Sequence, residues 1–178
     1  MLNLNKFFNY DPHEVRFKKT IRFIKESEHP PSSILDIGGP NRLSNLMQQG
    51  GFDVTNTNFD LDKKPQSLQK YSSDAITAFE VLEHLVNPLD VLQNVTADRL
   101  FASVPLNIWF SKTHYNENDP WDRHFHEFED WQFDWLLDHA GWKVIRKEKW
   151  TSPSFILGIR PVLRLFVPYY YIVEAVKK

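Results

Sequence analysis

The sequence predicts an α/β fold, a doubly wound and mostly parallel sheet with an antiparallel C-terminal edge strand and a shortened middle. Three observations carry this. Short apolar runs alternate with helix-like segments along the 178 residues. The early runs are almost wholly apolar, as strands covered on both faces must be. The first of them, ILDI at 34–37, runs into Gly38-Gly39 and then a helix. Strand, tight turn and helix in that order set backbone N–H groups and a helix N-terminus at one end of a buried strand, where the polar part of a ligand can be received. Glycine suits such a turn because it accepts positive φ and lets another molecule approach the backbone.

Taken in order, Asp11-Pro12-His13-Glu14 reads as a helix start, with Asp11 as N-cap, Pro12 in the first position and Glu14 completing a capping box. Phe17, Ile21 and Ile24 recur at helical spacing until Pro30-Pro31, so residues 1–30 form an N-terminal helical segment. Residues 42–50 read as a helix, with Asn41 keeping the preceding turn left-handed in place of glycine. Residues 52–57 and 74–79 read as strands. Residues 58–74 are too few for a helix and a further full strand, which shortens the middle of the fold. Val81–Leu85 and Leu89–Val95 read as helical, with Asn87-Pro88 as cap and first position, and 100–104 is a strand stopped by Pro105. Glu127–His139 is amphipathic, with Phe128, Trp131, Trp135 and Leu136 on one face and the two tryptophans in the core. Residues 143–150 and 169–176 are strands with no full crossover helix between them, hence antiparallel.

Composition bounds the rest. One domain over 1–178 is expected, large enough to bury a core. A formal charge of −2, with no run of Lys or Arg, supplies no field suited to nucleic acid. Cysteine is absent, which excludes disulfides, thiolate zinc sites and cysteine nucleophiles. The first residues lack the apolar core of a signal peptide and no apolar run is long enough to span a bilayer, so a cytoplasmic protein without stable membrane insertion is expected. Arg160–Arg164 and Tyr169–Tyr171 form a basic-aromatic patch that reads as solvated surface, a homodimer contact or a weak lipid contact.

ILDIGG (34–39), DAITAFEVLEHLVNP (74–88), LFASVPL (100–106) and HEFEDWQFDWLLDHAGWKVI (126–145) together resemble the class I S-adenosylmethionine-dependent methyltransferases, from about Ile34 to the C-terminus. EVLEHL directly after an apolar strand is the most specific of these motifs. The resemblance implies a Rossmann-like methyltransferase fold with S-adenosylmethionine as cofactor. It implies that Asp36, Gly38 and Gly39 line the methionine end of the donor, and that an acid after the second strand holds the ribose hydroxyls. Ala78, Phe79 and Glu80 would border the amino acid moiety and the sulfonium, and His84 would face the substrate. Pro40 and Asn41 stand where the family carries later glycines. Counting from Asp36 places Asn58 at the ribose position, with Asp60 two residues on. Asp60 is preferred, since only a carboxylate accepts two hydroxyl bonds without donating. Leu61 would then cover the adenine, or Phe59 if Asn58 is used.

Methyl transfer asks the protein to align nucleophile, methyl and sulfur, and to supply a base when the nucleophile carries a proton. Histidine suits that task near neutral pH. His84, His124 and His126 are the candidates, each with a plainer reading as a helix-end or capping residue. His124 and His126 alternate as in an extended segment and are set to point the same way. His114, His124, His126, Glu127 and Glu129 are metal-ligand types, but His-x-His lacks a matched partner pair and no metal is expected. Residues 106–126 form a long loop after a strand's carboxyl end and read as the active-site loop, with Trp109, Tyr115 and Trp121 covering a substrate or packing on a neighbouring helix. The expectation is S-adenosylmethionine-dependent methyl transfer to a small-molecule acceptor, of a lipid- or sugar-linked kind. The alternative is a catalytically degenerate methyltransferase-fold protein that serves as a binding or interaction module.

Overall fold

A computed structural model describes residues 11–119, 121–151 and 159–178. Its elements are α1 (Pro12–Lys25), β1 (Ser33–Asp36), α2 (Arg42–Gln49), β2 (Asp53–Asn56), β3 (Ala75–Phe79), α3 (Pro88–Gln93), β4 (Arg99–Pro105), α4 (Asp130–His139), β5 (Trp142–Thr151), α5 (Ile159–Leu163) and β6 (Pro168–Lys177), with 3₁₀ turns at Pro65–Lys70 and Leu82–His84.

The six strands form one sheet in the order β2-β1-β3-β4-β6-β5. The first four run parallel, and β6 pairs antiparallel with both β4 and β5. The last strand of the chain therefore inserts one place in from the antiparallel edge, and β5 is outermost. Neighbouring residues fall on opposite faces. Leu35 and Leu100 join one buried cluster with Leu68, Phe133 and Trp142, whereas Ile34 and Phe101 join a second with Phe17, Phe23 and Met47. Strands buried on both faces must read as continuous apolar runs, which accounts for ILDI and AITAF. Between β2 and β3 the chain forms only the short 3₁₀ turn, beside a stacked Phe59–Tyr71 pair with ring centroids 6.3 Å apart. This is the shortened middle.

Several local expectations change. Asp11 caps α1 by accepting from the His13 N–H at 2.9 Å, but Glu14 turns outward to Lys18 at 2.9 Å instead of closing a capping box. Asn41 is extended (φ −144°), not left-handed, because its side chain caps α2 by accepting from the Leu43 and Ser44 N–H groups. Trp131 and Trp135 are 55% and 60% exposed, while Phe133 and Leu137, on the opposite stripe of α4, are fully buried. An indole N–H needs a partner, and that of Trp131 finds Glu129 Oε2 at 2.7 Å on the surface, so the purely apolar Phe/Leu stripe enters the core. Tyr170 and Tyr171 are likewise core residues, so the basic-aromatic patch keeps only Tyr169, under the Arg164 guanidinium at 5.2 Å.

Candidate active site

The carboxyl ends of β1, β3 and β4 lie side by side, with Asp36 opposite Thr77 and Phe79 opposite Ser103. Three hollows open above them. One of about 210 Å³ lies under α1, bordered by Arg16, Asp36, Gly38, Arg42, Phe79 and Glu80 among others. One of about 290 Å³ lies over the loop after β2, bordered by Gly38, Gly39, Phe59, Asp60, Leu61, Val81, His84 and Trp121 among others. The third, about 320 Å³, is bordered by Arg16, Glu80, Glu83, His84, His114, Asp122, His124 and Tyr169 among others. Glu80 borders all three, and Gly38 and Val81 are shared by the first two.

The glycines supply room, not positive φ. Among the described residues the positive-φ glycines are Gly51 and Gly141. A Cβ added at Gly38 would meet Val81 Cγ2 at 3.8 Å, and one at Gly39 would meet nothing within 4 Å. Pro40 is exposed and does not border these hollows.

Asp36 is 5% exposed and accepts from Thr77 Oγ1 at 2.6 Å and from Asn56 Nδ2 at 3.0 Å. Burial pushes its pKa up to about 6, against the lowering effect of these bonds. The folded protein thus holds this proton more tightly than the unfolded chain. Stability from this group is full below the ordinary value of 3.8 and falls as the pH rises through about 6. Unfolding by denaturant should show wild type gaining up to about 3 kcal/mol relative to Asp36→Asn between about pH 7 and pH 4. A difference that stays flat with pH would refute this.

Glu80 takes a left-handed backbone (φ 55°) at the end of β3. A non-glycine residue held there stores about 1–3 kcal/mol of strain, a cost that clusters at functional sites. Its side chain accepts from Ser103 Oγ at 2.7 Å and pairs with Arg16 at 3.0 Å. Burial raises the pKa of Glu80, and Arg16 and Ser103 partly reverse the shift. Burial, reinforced by the nearby Glu80 charge, raises Glu83 well above the usual carboxyl range. Desolvation lowers His84, so its imidazole is neutral at pH 7. Burial also raises Tyr169, keeping its hydroxyl protonated.

The structure brings together Asp36, Gly38, Gly39, Asp60, Leu61, Phe79, Glu80, His84 and His124 along these hollows. Others fall elsewhere. Ala78 is wholly buried within β3 and borders none of the three. Asn58 is exposed and outside the linings. His126 does not share the orientation of His124. Its ring stacks on Phe128 with centroids 5.6 Å apart, whereas His84 and His124 meet edge to face at 4.8 Å. Of the loop aromatics, Trp121 borders the 290 Å³ hollow, while Trp109 is 80% exposed and Tyr115 lies 4.4 Å beneath the Arg123 guanidinium. Asp60 Oδ1 accepts from the Asp62 N–H at 3.1 Å, and its Oδ2 lies 3.0 Å from the exposed Lys63 ammonium. Sequence reasoning passed over Arg16, Asn56, Thr77, Glu83 and Ser103. Thr77, Glu83 and Ser103 stood inside the quoted motifs, but the partners of Thr77 and Ser103, like those of Arg16 and Asn56, are distant in sequence.

Comparison with known proteins agrees with this geometry. Residues 9–147 match a family described as a methyltransferase domain. No curated protein matches the sequence. Among solved structures, the Burkholderia thailandensis 1,6-didemethyltoxoflavin-N1-methyltransferase, with bound 1,6-didemethyltoxoflavin and S-adenosylhomocysteine, is 17% identical. It aligns over 98% of this chain and 87% of its own with a TM-score of 0.62. A SAM-dependent methyltransferase from Archaeoglobus fulgidus is 16% identical over 98% of both chains, with a TM-score of 0.55. The [4+2]-cyclase SpnF is 13% identical over 92% of this chain and 82% of its own, with a TM-score of 0.56. At these identities the likeness is one of fold. The match over most of the chain shows more: the protein belongs to the methyltransferase-domain family, whose methyl donor is S-adenosylmethionine.

Proposed function

We propose that this protein transfers the methyl group of S-adenosylmethionine to a small-molecule acceptor of a lipid- or sugar-linked kind, held in the 320 Å³ hollow. The observation that carries the reading is the meeting of three hollows at Glu80. A donor laid along the first two would present its middle, where the reactive methyl sits, to the third. The residues present fit such a ligand. The cradle at Gly38 and Gly39 is open to a backbone approach. Arg16, already paired with Glu80, and Asp36 set a cation and an anion at the amino acid end, and the nucleoside side has an acid in Asp60 and apolar cover in Phe59 and Leu61.

When bound, S-adenosylmethionine supplies an electrophilic methyl on a sulfonium that leaves as a neutral thioether. The protein has to orient the acceptor, keep water out and take a proton. His84 does the last. Its Nδ1 faces the Arg123 carbonyl at 3.1 Å, which can only accept, so Nδ1 carries the hydrogen and Nε2 is free. His124 stands beside it on the same hollow. The Nε2 of His126 is buried without a partner, so we assign this residue to packing on Phe128 rather than to catalysis.

Calorimetry with S-adenosylmethionine and S-adenosylhomocysteine tests the donor site. Binding is expected, and Asp60→Ala should weaken it by about 1–3 kcal/mol, the loss for a hydrogen bond to a charged group. No binding by folded protein would refute the reading, and unchanged affinity in Asp60→Ala would move the ribose contact elsewhere. A second reading, binding or other chemistry without methyl transfer, draws on the shortened stretch between β2 and β3 and on the [4+2]-cyclase among proteins of this fold. It predicts donor binding with no methylated product.

A further inference from the structure

Glu83, His84 and His124 place one donor atom each within 4.8 Å of one another. Their surroundings mark them as a built cluster. The His84 Nδ1–H is held by the Arg123 carbonyl at 3.1 Å, and the His124 Nδ1–H by Glu127 Oε1 at 2.9 Å. In its neutral form an imidazole held this way presents Nε2 as a lone pair, and an imidazole anchored through its other nitrogen is the arrangement found around metal-ligating histidines. Glu83 is 1% exposed, and its Oε2 has no hydrogen-bond partner. Its Oε1 lies 3.8 Å from His84 Nε2. A carboxyl oxygen orphaned in dry surroundings calls for either a proton or a cation. The segment that carries His124 is also pinned in place, since the Phe125 and His126 N–H groups donate to the Glu83 carbonyl at 2.8 and 3.1 Å.

We propose that Glu83, His84 and His124 bind a divalent first-row transition-metal ion of the zinc type, with its remaining coordination positions open to the 320 Å³ hollow. Two imidazole nitrogens and one carboxylate oxygen suit such an ion, and they would close on it by roughly 1 Å. The ion would supply the counter-charge that Glu83 lacks, since the Arg16 guanidinium bordering this hollow is engaged by Glu80. His114 stands 5.1 Å from His124, ring to ring, but is paired with Asp122 at 3.0 Å and is not needed as a ligand. With the ion bound, His84 Nε2 is a ligand and no longer the base assigned above; the ion would instead ease loss of the acceptor's proton by holding its oxygen, a part that rests on reading this hollow as the acceptor site. Binding of the ion does not.

The test is a titration of Co²⁺ into chelator-stripped full-length protein, followed by visible absorption, with Zn²⁺ as competitor. One equivalent should bind and be displaced by Zn²⁺. Glu83→Gln and His124→Asn should each weaken binding by about 100-fold or more, and Glu127→Ala, which frees the His124 ring, by about 10- to 100-fold. His139→Asn, exposed on α4, should change nothing. S-adenosylhomocysteine binding by the same samples reports folding and the donor site separately. No Co²⁺ binding, or equal binding by Glu83→Gln and His124→Asn, in protein that still takes S-adenosylhomocysteine would overturn the metal site and leave methyl transfer standing. Specific Co²⁺ binding without S-adenosylhomocysteine binding would uphold the metal site and remove the donor reading.

Discussion

Glu174→Ala is expected to lower the stability of the protein by about 3–5 kcal/mol, the usual cost of stranding buried charges. Glu174 is 1% exposed in β6 and accepts from Ser27 Oγ at 2.6 Å, from Arg146 Nε at 2.9 Å and from Arg99. Arg146 also donates to the Phe23 carbonyl and lies 3.6 Å over the Phe23 ring. One carboxylate thus joins the end of α1 to β4, β5 and β6. Its removal leaves two partly buried guanidinium groups without the anion they share. Thermal unfolding should move down by roughly 6–20 °C for a chain of this size, and Glu174→Gln, which keeps the shape and an acceptor oxygen, should lose less. A loss under about 1 kcal/mol would show that water reaches these groups and screens them.

The second large effect is on binding. Gly38→Val should leave the fold near wild type while weakening S-adenosylhomocysteine binding by about 1–3 kcal/mol, the range for forcing extra methyl groups into a filled space. The fold tolerates the change because the added Cβ meets only Val81 Cγ2, at an ordinary 3.8 Å, and no positive φ is required. Binding suffers because Gly38 borders both the 210 and the 290 Å³ hollows, so its new methyls stand at their junction. Calorimetry alongside a denaturation curve separates the two effects. Wild-type affinity in the variant would place the donor away from the glycine turn.

The alternation of strands and helices was legible because each element's burial is written in its own residues. ILDI and AITAF are apolar on both faces, Asn87-Pro88 caps α3 locally, and the short stretch after Asn58 has too few residues for another strand. What escaped depended on partners distant in the chain. Trp131 and Trp135 have the spacing of a core stripe, but so do Phe133 and Leu137, and periodicity alone does not choose between the two. Asn41 tolerates a left-handed turn, yet the nearby Ser44 offers it a reciprocal cap with extended backbone. The site shows the same division. Gly38, Glu80 and His84 sit in motifs that follow strands, so topology alone carries them to one edge. Arg16 reaches Glu80 from a helix that begins far upstream, and the pairing of His84 with His124 arises from a loop fold that no local pattern specifies.

The long loop after β4 is tied down at its base and again on its return, where the Arg123 carbonyl faces His84 Nδ1 and the Phe125 and His126 N–H groups donate to the Glu83 carbonyl. Leu106 bridges Phe128, and the Asn107 N–H donates to the Phe128 carbonyl at 2.7 Å. Farther out, Arg123 binds the carbonyls of Asn116 and Glu117, so the tip is held by its own members. The stretch therefore behaves as an interchangeable cassette. Insertions or deletions around Asn116 and Glu117 can alter what is grasped while the ladder beneath and the bonds to the Glu83 carbonyl stay in place, so descendants of this scaffold can diversify there at small cost to folding.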